Sequence, residues 1–280
     1  MLGHIARHGH AAEGSGEVNE DLKKNFIKEV HAAAKSRYAV EVFADMVRTW
    51  ALAIESPLAL GERHAEIEKE YAQIKERYSA DEFAHFAQGL AIVFLALERH
   101  REDFLGHALE ELGAANTRNG QFLTPVCVSR LMAAVNCRNS AGLGYTPGTP
   151  IRLSDPSCGS SVLLIEGAEA LLSDGVRQAD IVIHAGDIDG RACDISYVQL
   201  SLLGYAAIVQ HMDALAQKRY SQDRFTPGWF LHYMPMRRPF GTRTAEAPAA
   251  VPAATPDKPQ AIEQPKTINV RALVQGEFAF

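Results

Sequence analysis

Three aspartates stand where a ligand-binding carboxylate would be useful. Asp155 opens the loop Asp155-Pro-Ser-Cys-Gly-Ser-Ser161, which follows a strand-like pattern and leads into a helical one. Small residues let a backbone approach a ligand closely, and the amino terminus of the next helix favours an anionic group such as a carboxylate. Asp187 lies in Gly186-Asp187-Ile188-Asp189, one strand–helix–strand unit farther on. A carboxylate at that place accepts hydrogen bonds from ribose hydroxyls. Asp213, in Met212-Asp213-Ala214-Leu215, ends a third strand pattern and is suited to accept from an adenine amino group. One acidic residue at a strand end is more often a solvated turn residue or a helix cap. Three at successive strand ends outline a nucleoside-sized site. The four cysteines (Cys127, Cys137, Cys158, Cys193) form no CxxC pair, so neither a zinc site nor a disulfide framework is expected, and no metal site is assigned.

Positioning these aspartates requires alternating strands and helices. The sequence predicts strands at Ile151–Ser154, Ile181–Ala185 and Ala206–His211, with a fourth at Trp229–Met234. Helices are predicted at Val162–Leu172 and Arg191–Leu203. This alternation implies an α/β fold with a parallel sheet and crossover helices. Ahead of it, residues 19–118 read as a helical domain. Ser79-Ala-Asp-Glu82 is a capping box, and it opens an apolar stripe of Phe83, Phe86, Leu90, Val93, Phe94 and Leu97. Ile67, Tyr71, Ile74 and Tyr78 form an earlier stripe. Helical spacing favours a core over a base-stacking surface for these aromatics. Thr124-Pro125 has the form of an N-cap and first helical position, opening a helix to about Val135.

At this point the chain resembles a known family. Asn119-Gly-Gln-Phe-Leu-Thr-Pro125 is similar to the GQFxTP motif of type I modification subunits and other adenine-N6 DNA methyltransferases. Asp155-Pro-Ser-Cys-Gly-Ser resembles their DPxxGSG motif, and the Asp187 and Asp213 segments resemble the two that follow. The resemblance covers about residues 102–235. It implies a Rossmann-like S-adenosylmethionine-dependent methyltransferase fold behind an α-helical N-terminal domain, with S-adenosylmethionine as cofactor and DNA as partner. By the same resemblance Gln121, Phe122, Thr124 and Pro125 would close over the methionine end. Asp155, Ser157, Cys158 and Gly159 would form the loop beneath it, Asp187 would hold the ribose and Asp213 the adenine. Ser161 stands where the family usually has glycine, and Val162 where a second is common; a Cβ there is expected to narrow the loop.

The family transfers a methyl group to the N6 amine of an adenine flipped from the duplex. That amine is a poor nucleophile, and the family's Asn/Asp-Pro-Pro-aromatic motif orients it through carbonyl acceptors and a stacking ring. This chain has no adjacent prolines. Where the motif is expected it reads Met234-Pro235-Met236-Arg237, so no catalytic residue is assigned. Arg238-Pro239-Phe240 is a poor substitute, because arginine only donates hydrogen bonds. The 40 residues after Phe240 are not expected to supply the remaining strands and a target-recognition domain.

Composition sets the wider bounds. The net charge of −6 gives no sign of the basic surface that unaided DNA binding needs. A specificity or methylase subunit, or self-association, is therefore expected to complete the protein, and an unfinished sheet edge invites such pairing. No apolar run reaches the roughly 18–20 residues of a membrane span, and no signal peptide is evident, so a cytoplasmic protein is expected. Residues 1–18 are expected to be flexible. Residues 119–240 form the cofactor-binding domain, 241–266 an Ala/Pro-rich linker and 267–280 a tail with renewed apolar character.

Overall fold

A computed structural model describes residues 15–113, 124, 126–137 and 144–234. The proposed linker and tail, and Gln121, Phe122, Pro125, Pro235, Met236 and Arg237, lie outside the described residues.

The amino-terminal part is helical: α1 (Ser15–Ala34), α2 (Ala39–Glu55), α3 (Glu62–Lys75), α4 (Ala80–Arg99) and α5 (Phe104–Glu111). Helix α1 begins ahead of Asn19, inside the stretch expected to be flexible. Phe26 is fully buried, and the rings of Phe43, Trp50 and Phe104 surround it at centroid distances of 5.8–6.1 Å. The capping box forms as read. Ser79 Oγ accepts from Glu82 N (3.2 Å), and Glu82 Oε2 accepts from Ser79 N (2.8 Å). That amide, with Arg37 beside it, holds the Glu82 carboxyl down at about 2. Of the apolar stripe on α4, Phe86, Val93 and Leu97 are buried but Phe94 is half exposed. At about 100° per residue, Phe94 is turned off the arc that Val93 buries.

Then follow α6 (Val126–Cys137), β1 (Ile151–Asp155), α7 (Val162–Ser173), β2 (Ile181–Asp187), α8 (Gly190–Leu202) and β3 (Ala206–Asp213). Strands β1, β2 and β3 are parallel, in that order across the sheet. The fold is mixed α/β, a Rossmann-like sheet with a helical amino-terminal part. Ile183, Ala185, Ala207 and Val209 point to the face covered by α7 and α8 and are buried.

After β3 the structure departs from the sequence reading. Two short strands, β4 (Lys218–Arg219) and β5 (Arg224–Phe225), both pair with β3 antiparallel. The expected strand at Trp229–Met234 is instead a π-helical turn, Trp229–Tyr233. Thr226 and Gly228 explain this. Thr226 Oγ1 donates to Tyr205 O (2.6 Å) and accepts from Ala207 N (2.9 Å), anchoring the chain at the start of β3. Trp229 N then donates to Thr226 O (3.0 Å), closing the first turn. Gly228 passes so near Tyr205 O that a Cβ would lie 2.4 Å from it. Trp229 packs beside His184 on the sheet face opposite α7 and α8, and Tyr233 OH meets Arg152 from β1.

Arg224 joins the helical part to the sheet. Its guanidinium lies over the Tyr197 ring at 4.0 Å and donates to Glu55 Oε2 of α2 (2.8 Å) and Asp194 Oδ1 of α8 (2.6 Å). Arg48 of α2 binds the same Asp194 oxygen (2.9 Å).

Candidate functional site

The loop between β1 and α7 is fastened to the end of β2. Asp155 Oδ1 accepts from Ser157 N (2.9 Å), folding the loop's first turn. Cys158 N donates to Gly186 O (2.8 Å), and Gly159 N donates to Asp187 Oδ2 (2.9 Å). The other Asp187 oxygen accepts from Asp189 N (2.8 Å). Asp187 is thus nearly buried and bridges two backbone segments. Each of its oxygens still has a lone pair for a ligand hydroxyl.

Gly159 has φ of +55°, the left-handed region, and a Cβ built on it meets nothing within 4 Å. The loop is therefore open on one side at its tightest turn. The serines lie on the other side. Ser160 and Ser161 are buried. Ser161 Oγ donates to Ser196 Oγ (2.7 Å), whose hydroxyl donates to Gly159 O (2.8 Å). Ser161 has φ of +76° despite its Cβ. That geometry ordinarily suits glycine, with a cost of about 1–2 kcal/mol for other residues. Its side chain points to Ser196 of α8.

Beneath the loop lies a buried polar cluster. Asp103, the N-cap of α5, accepts from Gly106 N (2.9 Å), Gln199 Nε2 (2.8 Å) and the Ser160 hydroxyl. Gln199 Nε2 also reaches Ser160 O (2.9 Å), and its Oε1 accepts from Leu105 N (3.0 Å). Burial pushes the Asp103 carboxyl up, against the pull of the groups donating to it. Sequence reasoning missed Asp103, Ser196 and Gln199. The signal for Asp103 was a capping residue immediately before the apolar Phe104-Leu105 pair. Ser196 and Gln199, three apart in one helix, were a hint of a polar seam.

Register shows how the three aspartates are arranged. Asp155 pairs with Ala185, and Asp187 pairs with His211. Asp187 therefore lies two positions beyond the level of Asp155, and Asp213 two beyond the level of Asp187. At roughly 3.3 Å per residue each step is about 7 Å along the strand direction. All three have the parity of the face covered by α7 and α8. Asp213 differs from the others in its setting. It sits on the β3–β4 ribbon, where its Oδ1 accepts from Ala216 N (2.9 Å), next to the fully exposed Leu215. His211, between Asp187 and Asp213, hydrogen-bonds Ile188 O through Nε2 (3.1 Å).

Beside Asp155 a cavity of about 270 Å³ opens between α6, β1 and α7, lined by Met132, Cys137, Leu153, Asp155 and Leu164 among others. Thr124 stands half-buried just before α6. Burial pushes the Cys158 thiol up to about 12, and Cys193 is raised for the same reason. The two thiols are therefore buried packing groups, unsuited to act as nucleophiles. Met234 ends the described chain and is half exposed. Among the described residues no cluster of His, Cys, Asp and Glu has the form of a metal site.

No curated protein matches the chain. Residues 100–237, just under half of it, match the family model described as N-6 DNA methylase, a family that generally uses S-adenosylmethionine and acts on DNA. The match spans α5, the loop with its Asp103 cluster, all the strands and the Trp229–Tyr233 turn, and over those residues the chain is similar to the N-6 DNA methylase family.

Proposed function

We propose that the protein binds S-adenosylmethionine on the Asp155–Ser161 loop and acts as a DNA adenine-N6 methyltransferase-like protein whose methyl transfer depends on a partner subunit. The observation that carries this reading is the open side of the loop at Gly159, beside the buried Asp187 carboxylate. Both lie at the carboxyl ends of parallel strands, where open α/β sheets take ligands. When bound, S-adenosylmethionine supplies an electrophilic methyl group on a sulfonium. The chain's own residues would bind and orient it. The loop backbone at Ser157–Gly159 would receive its amino-acid end, Asp187 the ribose hydroxyls and Asp213 the adenine amine. Thr124, with Gln121, Phe122 and Pro125, would cover the methionine end.

Partner dependence rests on two features. The Asn/Asp-Pro-Pro-aromatic motif is missing from the sequence, and the chain ahead of its expected place forms the Trp229–Tyr233 turn. The same features support a second reading, a catalytically inactive protein that binds S-adenosylmethionine and regulates another methyltransferase.

Calorimetric titration with S-adenosylmethionine tests the shared claim. The parent chain is expected to bind, and Gly159→Val to lose at least about tenfold in affinity, because its side chain fills the open side of the turn. A folded parent that takes up no S-adenosylmethionine would sink both readings. Transfer of labelled methyl groups to DNA separates them. Transfer that requires a specificity or methylase subunit supports the first, and none with any such subunit supports the second.

A further inference from the structure

Helix α4 has a large apolar surface that the other described residues leave uncovered. By length and composition it is apolar enough to cross a membrane, yet only a third of it is buried. Its buried arc holds Glu82, Phe86, Gly89, Val93, Ala96 and Leu97. On the opposite arc Ala84, Ala87, Ala91, Phe94 and Leu95 are exposed, Phe94 by 51% and Leu95 by 41%, with the charged Glu98 exposed at the arc's carboxyl end. Along one flank runs an apolar groove of about 640 Å³ between α2, α3 and α4, lined chiefly by Trp50, Tyr71, Tyr78, Phe83, Ala87 and Leu90. Exposed apolar patches of this kind mark interaction surfaces.

We infer that this face is the interface of a homodimer in which α4 packs antiparallel on α4 of a second copy, crossing near Leu90. The pattern is self-complementary about that point. A two-fold axis near Leu90 places Phe94 of each copy over Ala84–Ala87 of the other. At 100° per residue Phe94 shares the flank of Phe83 and the groove, and antiparallel helices oppose like flanks, so each Phe94 faces the other copy's groove. The ends agree in charge. Asp81 and Arg99 are 18 residues apart, five full turns, and so share one flank at opposite ends of the helix. Both are exposed, and neither makes a hydrogen bond or ion pair among the described residues. The same two-fold axis sets Arg99 of each copy against Asp81 of the other. Ala91 lies near the axis, where a small residue permits close approach.

Sedimentation of the full chain across micromolar concentrations tests the inference. A monomer–dimer equilibrium is expected. Phe94→Glu should weaken it at least about a hundredfold, since each dimer loses two buried rings and gains two buried charges. Arg99→Asp should weaken it about tenfold, and Asp81→Arg combined with Arg99→Asp should restore it. In a Cys127→Ser background, which removes the exposed thiol, Ala91→Cys should oxidise to a covalent dimer. Ala84→Cys should not, because the two copies of that position lie well apart along antiparallel helices. Each of the following results overturns the inference: a monomer at every concentration, including one that binds lipid vesicles through α4; a Phe94→Glu chain as dimeric as its parent; no rescue by the double charge swap; or equal crosslinking at positions 84 and 91.

Discussion

The Asp155–Ser161 loop and the Met212–Lys218 ribbon look alike in sequence, each a strand end carrying an aspartate, but they are built differently. The loop is held from three directions: by Gly186 and Asp187 of β2, by Ser196 and Gln199 of α8, and by Asp103 of α5. The ribbon is held by its own short ladder and by one bond from Ala216 N to Asp213. Loop and Asp187 therefore make a preformed half of the proposed pocket, and Asp213 a proposed half that has little holding it in place. Preorganised groups lose least on binding. Discrimination of the adenine end is accordingly expected to be weaker than capture of the ribose and amino-acid end.

The largest test of this difference is Asp103→Ala. It leaves Gly106 N, the Ser160 hydroxyl and one of the two Gln199 amide hydrogens without an acceptor inside the core. At about 1 kcal/mol or more each, the unfolding free energy should fall by about 3 kcal/mol in urea denaturation. Asp213→Ala should cost under about 0.5 kcal/mol, the range of surface substitutions. Equal losses at the two positions would remove the distinction between a fastened and a loose half.

Next in size is Asp187. Asp187→Ala orphans Gly159 N and Asp189 N and should cost about 2 kcal/mol of stability as well as cofactor affinity. Asp187→Asn keeps one carbonyl acceptor and should recover part of the stability. If calorimetry found cofactor affinity unchanged in Asp187→Ala, the ribose assignment would fail. Ser196→Ala, which removes the hydroxyl linking Ser161 to Gly159, should cost about 1 kcal/mol and leave the ribbon untouched.

Much of this was legible in the sequence for a physical reason. From Ile151 to Asp213 apolar runs bounded by turn residues mark buried elements, so β1, α7, β2, α8 and β3 are legible to within a few residues. Where tertiary contacts decide a short segment, pattern fails. Trp229–Met234 is aromatic and β-branch-poor, and its apolar run reads as a strand. Yet Thr226-Pro227 carries the same cap-and-proline signature that was recognised at Thr124-Pro125. The site divides the same way. Asp155, Asp187 and Gly159 were visible as strand-end and turn residues. Their support, Asp103 and Gln199, is 96 residues apart in the chain and joins only through the tertiary fold.

The smallest effect probes the fastened half without altering it. Cys158 belongs to the loop and lies buried against Ser196, and Cys193 donates to the Asp187 and Gln210 carbonyls at 3.6 and 3.5 Å. A thiol with a pKa of about 12 is ionised to about one part in ten thousand at pH 8, and only the thiolate is alkylated. Cys137 is buried as well, whereas Cys127 is exposed. Alkylation of the folded chain at pH 8 should therefore label Cys127 quickly and the other three slowly, with all four reacting together in denaturant. Asp103→Asn, which weakens the cluster without emptying it, should speed labelling of Cys158 more than that of Cys137, because only Cys158 belongs to the loop that Asp103 holds. If Cys158 reacted as fast as Cys127 in the parent, the loop would be opening freely, and it would hold its ligand no more firmly than the ribbon does.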